Sequence, residues 1–378
     1  MRLGWRRSAV CGALFWIAVG ASLPPRSAAQ AAAAVSDAAE SGTAAGAGAK
    51  AAAAGISGAA AGADAPVGGE EAAVDLSGKP TFVVDEFKPG DPLKIVAYGD
   101  MRFTDPSNTT DTKPRVRKWL AERIAEEKPD ALLVSGDIPF HGSEQADWDV
   151  YRRETAGWTA ARLRVYPTLG NHEYMTNYSM GRANYFAEYP WLGNRRWYSV
   201  LIGNVYLISI DSNGGPGDRA FNAGMPERVW LESQMDHLPA QADFVFILTH
   251  MPLLNDIQSE VIADLPTAQE ITLRRYLEAQ APKCRAKLVV VSGHVHNYER
   301  FEHAGISYIV SGGGGASPYP VYARSPEDLY QDKGYPNFNY VVLMVRGKRI
   351  DATMYRVADP KAATLATEVK ERFTLTAK

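Results

Sequence analysis

Two imidazoles stand two residues apart in Gly293-His294-Val295-His296-Asn297-Tyr298-Glu299-Arg300, directly after the apolar run Lys287–Ser292. A strand ending there delivers both rings to one loop. The chain has seven histidines, and four of them (His172, His250, His294 and His296) follow runs of this kind beside Gly, Asn or Thr. Asp100, Asp137 and Asn171 occupy equivalent places. Nitrogen and oxygen donors without a thiolate are the ligand set of a hydrolytic two-metal site. Singly, each residue has a plainer reading. An Asp or Asn after a strand commonly caps a helix or shapes a turn, and a lone His is commonly a hydrogen-bonded polar side chain. Five strand ends in the order Asp, Asp, Asn-His, His, His-x-His favour the joint metal reading.

The elements that must position these residues follow from periodicity. Lys94–Tyr98 reads as a strand ending in Gly99-Asp100, and Pro114 opens a helix whose apolar residues Leu120 and Ile124 fall on one face. Asp130–Ser135 reads as the next strand, before Gly136-Asp137. The aromatic spacing of Trp148, Tyr151 and Trp158 reads as one helix, followed by a strand over Leu163–Thr168 and Gly170-Asn171-His172. Trp197–Ile202 and Val205–Ile210, joined by Gly203-Asn204, read as a hairpin. A helix over Pro226–His237 precedes the strand Phe244–Leu248 and Thr249-His250, and a helix over Ala268–Ala279 leads to the strand before His294. Ile306–Val310, Tyr340–Val345 and Ile350–Arg356 complete a β-rich end. Strand–helix–strand repeats imply parallel neighbours with right-handed crossovers, and ligands of such sheets gather beyond the strands' carboxyl ends.

Residues 1–29 read as a signal peptide. Arg2, Arg6 and Arg7 precede an apolar core, and Ser27-Ala28-Ala29 suits cleavage before Gln30. The apolar stretch is short for a stable membrane anchor. Loss of the leader's four arginines takes the formal net charge from −3 to −7. An acidic chain lacks the basic face that nucleic-acid binding requires. Cys284 is then the one remaining cysteine, so no internal disulfide forms. Export without disulfides fits a bacterial periplasm or secretion. Residues 30–75 are dominated by Ala, Gly and Ser with nothing to bury, and read as a disordered linker before a domain over 76–378.

With these residues in view, Gly99-Asp100, Gly136-Asp137, Gly170-Asn171-His172-Glu173, Thr249-His250 and Gly293-His294-Val295-His296 resemble the motif series of the calcineurin-like metallophosphoesterases. The longer Gly-His-Val-His-x-Tyr-Glu-Arg form is similar to the purple acid phosphatase branch. The resemblance spans about Lys94 to Arg300. It implies an α/β fold, a four-layer α/β/β/α sandwich of two mixed sheets flanked by helices, and two metal ions (Fe, Mn or Zn). It further implies that Asp137 bridges both ions, with Asp100 and His296 on the first and Asn171, His250 and His294 on the second. His172 would contact phosphate and help protonate the leaving oxygen. A shared carboxylate eases the repulsion between two close cations, which together lower the pKa of a bound water from about 15.7 toward about 7. The reaction implied is hydrolysis of a phosphate monoester by metal-activated hydroxide, with Asp137 and His172 catalytic. A phosphodiesterase or nucleotidase using the same site, or a non-catalytic phosphate- or metal-binding homologue, remains open.

Two positions depart from the family pattern. Gly99-Asp100-Met101-Arg102 carries arginine where most of the family has histidine, and Arg102 is expected to fork onto a phosphate or brace Asp100. Gly136-Asp137-Ile138-Pro139-Phe140 carries phenylalanine where the purple branch has a tyrosine ligand. The first ion therefore lacks one protein ligand. Water, a swing of neighbouring His141, or weak binding are the open outcomes. The Gly312–Gly315 run lacks the ending of a phosphate-binding loop and reads as a tight turn beside the site. Tyr298, Glu299 and Arg300 are expected to support the histidine loop, and Tyr174 and Tyr178 to line the pocket mouth.

Overall fold

The computed structural model describes residues 73–213, 220–256 and 265–378. The expected leader and nearly all of the Ala/Gly-rich linker lie outside the described residues. Among the described residues no helix is long and apolar enough to cross a membrane.

Three short apolar runs, β2 (Leu93–Tyr98), β3 (Ala131–Val134) and β4 (Val165–Pro167), pair in parallel register. On the other side of β2 the chain adds antiparallel β11 (Asn339–Arg346), β12 (Arg349–Val357) and β13 (Thr367–Thr376). The six-stranded sheet thus runs β13-β12-β11-β2-β3-β4. The second sheet is built from β1 (Phe82–Val84), β5 (Tyr198–Ile202), β6 (Val205–Ser209), β7 (Phe244–Leu248), β8 (Lys287–Ser292), β9 (Tyr298–His303) and β10 (Ile306–Ser311). Its order is β1-β5-β6-β7-β8-β10-β9, with β6, β7, β8 and β10 parallel, β5 antiparallel to β6 but parallel to β1, and β9 antiparallel to β10.

Strand period two decides the layers. Phe244, Phe246 and Leu248 of β7 join one core with β2, β3 and β11, whereas Val245 and Ile247 join another with the helices α5 (Pro226–Asp236) and α6 (Ala268–Gln280). Both faces of β7 are therefore buried, which is why it reads as an unbroken apolar run rather than an alternation. Truncating such a residue, for example Phe246→Ala, costs about 3–5 kcal/mol. The helices α1 (Pro114–Glu127), α2 (Gln145–Glu154) and α3 (Ala156–Ala160) pack with the six-stranded sheet's core, and Trp158 Nε1 on α3 donates to Ala121 O on α1 at 2.8 Å. The result is two mixed sheets flanked by helices, as expected.

The single helix expected across Trp148 to Trp158 is instead two. Thr155 lies between them with φ −101° and ψ 13°, and its hydroxyl donates to Tyr151 O at 2.7 Å. Four elements had no sequence expectation: β1, β9, β13 and α4 (Tyr178–Glu188). β13 is an edge strand with charged, largely solvent-facing residues, so its apolar alternation is faint.

Candidate metal centre

Every candidate ligand sits just beyond the carboxyl end of a parallel strand: β2, β3 and β4 from one sheet, β7 and β8 from the other. The two Gly-Asp loops continue the pairing of β2 and β3 past the strands. Asp100 N donates to Gly136 O at 3.1 Å and Arg102 N to Asp137 O at 2.9 Å. Such close packing constrains the backbone. Asp100, Arg102, Asp137 and His294 all have left-handed φ, between 50° and 66°. Non-glycine residues hold that region at a cost when surroundings enforce it, commonly at functional sites. Gly136 has φ +87°, and a Cβ there would lie 2.8 Å from Gly170 N and 2.9 Å from His250 Nδ1.

The donor atoms converge. His250 Nδ1 lies 2.7 Å from Ser135 O, a contact only an N–H can satisfy, so the ring proton sits on Nδ1 and Nε2 is a lone pair. That lone pair faces Asn171 Oδ1 at 2.9 Å, Asp137 Oδ1 at 3.3 Å and His294 Nδ1 at 3.3 Å. His294 Nδ1 is also 3.1 Å from Asn171 Oδ1. Atoms bound to one ion at about 2.0–2.1 Å stand about 3.0–3.4 Å apart, so this cradle fits a transition-metal ion. His296 uses Nδ1 to donate to Ser317 O at 2.7 Å, and its buried Nε2 has no hydrogen-bond partner among the described residues. It lies 3.8 Å from Asp100 Oδ1. Ligand atoms of Asp100, Asp137 and His250 all fall within 4.8 Å of one another. Electron pairs aimed at one another in a buried space are what a cation would reconcile.

Charge tells the same story. Burial, then the neighbouring Asp137 charge, pushes the Asp100 carboxyl well above its ordinary range. Burial also opposes ionisation of Asp137, but His172, His250 and Arg102 outweigh it and hold that carboxyl well below the usual range. Burial lowers His172, His250 and His296, favouring the neutral form that can ligate.

The structure brings Asp100, Asp137, Asn171, His250, His294 and His296 together, with His172 beside them. His172 Nδ1 meets Phe140 O at 2.5 Å, and its Nε2 is 3.8 Å from Asp137 Oδ2. Phe140 tilts against the His172 ring at 5.2 Å. His141 is drawn to Asp147, with Nδ1 3.5 Å from Oδ2. Arg102 forks onto Asp137 rather than bracing Asp100, its Nε and Nη2 donating to Oδ2 at 3.2 and 3.1 Å. Asp100 is braced instead by the backbone N–H of His294, 3.0 Å from both carboxylate oxygens.

Glu173 follows Asn171-His172 directly, and its residue type alone assigns it no role. Buried, it accepts from Asp137 N, Ile138 N and Gly170 N at 3.1, 2.8 and 2.6 Å, clamping the loops after β3 and β4 together. Burial and the Asp137 charge push its carboxyl up to about 8. Its position directly after Asn-His was the available signal. Tyr298 and Arg300 hydrogen-bond Glu371 on β13 and close one edge of the sandwich. Gly312 N donates to Asn297 O, and Gly314 N to Gly99 O, so the glycine run packs beneath the ligand loops as a turn. Tyr174 and Tyr178 stack at 4.4 Å, with Tyr174 OH on Asp211.

A family model described as calcineurin-like phosphoesterase matches residues 93–298. Probable purple acid phosphatase 20 of Arabidopsis thaliana is 25% identical over 247 residues, covering 59% of this chain and 52% of the relative. Purple acid phosphatase 1 of Ipomoea batatas is 26% identical over 234 residues, covering 57% and 45%. The chain therefore spans about half the length of these relatives. Among solved structures, purple acid phosphatase PPD1 from yellow lupin (Lupinus luteus) seeds superposes with a TM-score of 0.61 at 17% identity, covering 78% of this chain and 56% of that one. That likeness speaks to the fold.

Proposed function

This chain belongs to the calcineurin-like phosphoesterase family, and on that premise we propose that it is an exported, metal-dependent phosphatase hydrolysing phosphate monoesters. The observation carrying this reading is the convergence on the His250 Nε2 lone pair of Asn171 Oδ1 at 2.9 Å, Asp137 Oδ1 at 3.3 Å and His294 Nδ1 at 3.3 Å. In this reading Asn171, His250 and His294 hold one ion, Asp100 and His296 the other, and Asp137 is shared. Bound Fe, Mn or Zn ions would acidify water to supply the nucleophile and would neutralise charge on the ester oxygens.

The chain's own residues supply the rest. Asp137 keeps its charge despite burial, so the centre binds cations rather than repelling them. His172 is oriented by the Phe140 carbonyl, which fixes a proton on Nδ1 and points Nε2 toward Asp137. When the imidazole is protonated, Nε2–H is the group that delivers a proton to the leaving oxygen. Arg102 spends two of its five N–H donors on Asp137, and the others are suited to a phosphate oxygen.

The proposed organisation is a leader over 1–29, a linker over 30–75 and a catalytic domain over 76–378, exported to a periplasm or the medium. Aryl monoester and diester substrates, offered side by side to the metal-loaded protein, test the reaction. Faster monoester turnover that chelation abolishes and divalent metal restores is expected. Preferential diester cleavage would replace the reading with a phosphodiesterase, and no turnover of either would leave a binding homologue.

A further inference from the structure

The two cation subsites of this centre are not equals. At the subsite of Asn171, His250 and His294, His250 Nε2 stands 2.9 to 3.3 Å from Asn171 Oδ1, Asp137 Oδ1 and His294 Nδ1, and among the described residues Arg102 bonds the other oxygen of Asp137. At the subsite of Asp100 and His296 the donors are farther apart, with His296 Nε2 3.8 Å from Asp100 Oδ1. There, too, a cation is already in residence. The Arg102 guanidinium places Nε and Nη2 at 3.2 and 3.1 Å from Asp137 Oδ2, the oxygen opposite the one facing His250. The pair is buried, the side chains being 13% and 0% exposed, so water screens it little. Phe140, at the sequence position where the purple branch has tyrosine, carries no oxygen and packs against the His172 ring at 5.2 Å, and His141 is engaged with Asp147.

We propose that Arg102 is an internal cation that competes with the ion at the Asp100–His296 subsite for Asp137 Oδ2, making that site weak while the Asn171–His250–His294 site stays tight. The inference rests on the metal-centre reading above and deepens it. An ion at the weak subsite must take an Oδ2 lone pair now used by two N–H donors, and must stand beside a fixed positive charge. Both effects fall on one site. The Asp137 oxygen serving the other site is Oδ1, which Arg102 does not touch. Arg102 acts here through Asp137 and is a positioning residue in that sense; its effect is on occupancy of the centre and is read without turnover.

The test is an equilibrium titration of the chelator-stripped protein with Zn²⁺ and with Mn²⁺, read by calorimetry and by metal content after gel filtration. The wild type is expected to bind one ion tightly and a second at least about tenfold more weakly. Arg102→Ala and Arg102→Gln should each tighten the second event by about tenfold or more, the scale of a lost hydrogen bond to a charged group, and leave the first within about threefold. Arg102→Lys keeps the charge without the fork and should stay near wild type for the second event. Two equal events in the wild type, or a second event unmoved in folded Arg102 variants, would overturn the inference while leaving the phosphatase reading intact. A wild type that binds no ion would remove both. If circular dichroism showed both neutral variants unfolded, Arg102 would belong to the fold and the inference would fall.

Discussion

At the metal centre, the buried Asp100 and Asp137 lie beside imidazole nitrogens, His296 Nε2 and His250 Nε2; around Arg324, the equally buried Asp256, Glu299 and Asp328 lie beside a guanidinium and backbone N–H groups. Asp256 Oδ1 accepts from Ser325 N at 2.7 Å, Glu299 Oε2 from Asp256 N at 2.8 Å, and Asp328 Oδ1 from Arg300 N and Tyr330 N at 3.1 and 2.8 Å. Arg324 pairs with Asp328 and lies 3.5 Å from Asp256 Oδ2. Burying acids is therefore not what distinguishes a metal site. The difference is what the acids look at. The Arg324 cluster sets a guanidinium among its carboxyls, whereas the other sets imidazoles, and no further His, Cys, Asp or Glu group able to hold an ion was found among the described residues.

The centre is also interlocked between sheets. Asp100, beyond β2 of the six-stranded sheet, is held by the N–H of His294 beyond β8 of the other. His250, beyond β7 of the seven-stranded sheet, is held by the carbonyl of Ser135 beyond β3. Carboxylates are gripped by N–H groups and imidazoles by carbonyls, each sheet orienting the other's ligand. Correct packing of the two sheets is thus a condition for the chemistry, not a scaffold beneath it.

The contrast can be broken from the inside first. His172→Ala removes the proposed proton donor but none of the six proposed metal ligands. Turnover should fall by about 10²–10⁴-fold with metal content unchanged, and a parallel loss of metal would contradict the division of roles. Glu173→Gln comes next. It turns one carboxylate oxygen into a donor facing Asp137 N, Ile138 N or Gly170 N, and a loss of about 10–100-fold in metal affinity or activity is expected. Retention of both would demote Glu173 to packing.

The smallest effect belongs to the Arg324 cluster and concerns pH. Burial, together with Asp328, pushes the Asp256 carboxyl up to about 7, while Arg324 pulls it down; Glu299 is likewise raised by burial and the Asp256 charge. A carboxyl raised on folding binds its proton more tightly in the native state. Its contribution to stability is full below the unfolded value near 4 and is lost as pH rises through about 7. Asp256→Asn keeps the acceptor for Ser325 N but cannot ionise. Its Tm, relative to wild type, should rise by roughly 2–4 °C between pH 4 and pH 8, with turnover unaffected. A difference flat in pH would show that Asp256 does not titrate with folding.

These cases also separate what the chain makes legible from what it hides. The candidate ligands are readable because rare residue types follow unmistakable apolar runs: β7 lies at Phe244–Leu248, the bounds its periodicity predicts. Glu173 is not, because it acts on backbone N–H groups, which leave no residue-type signature. The partner of Arg102 is not legible because two buried aspartates, Asp100 and Asp137, lie in adjacent loops and spacing alone does not choose between them. Helix α4 was hidden by Gly181, a poor helix former. A Cβ at that position would stand 1.9 Å from Glu173 O, so the helix trades propensity for close approach to the site. Tertiary contact, not local preference, settles such positions.

The most direct test of the account is metal content measured together with monoester turnover in the wild type and in Asp137→Asn. The wild type should retain at least one Fe, Mn or Zn ion per chain and hydrolyse the ester, and the variant should lose both the ion and the turnover. An Asp137→Asn protein that keeps its metal and its rate, or a folded wild type that binds no ion under supplementation, would contradict it.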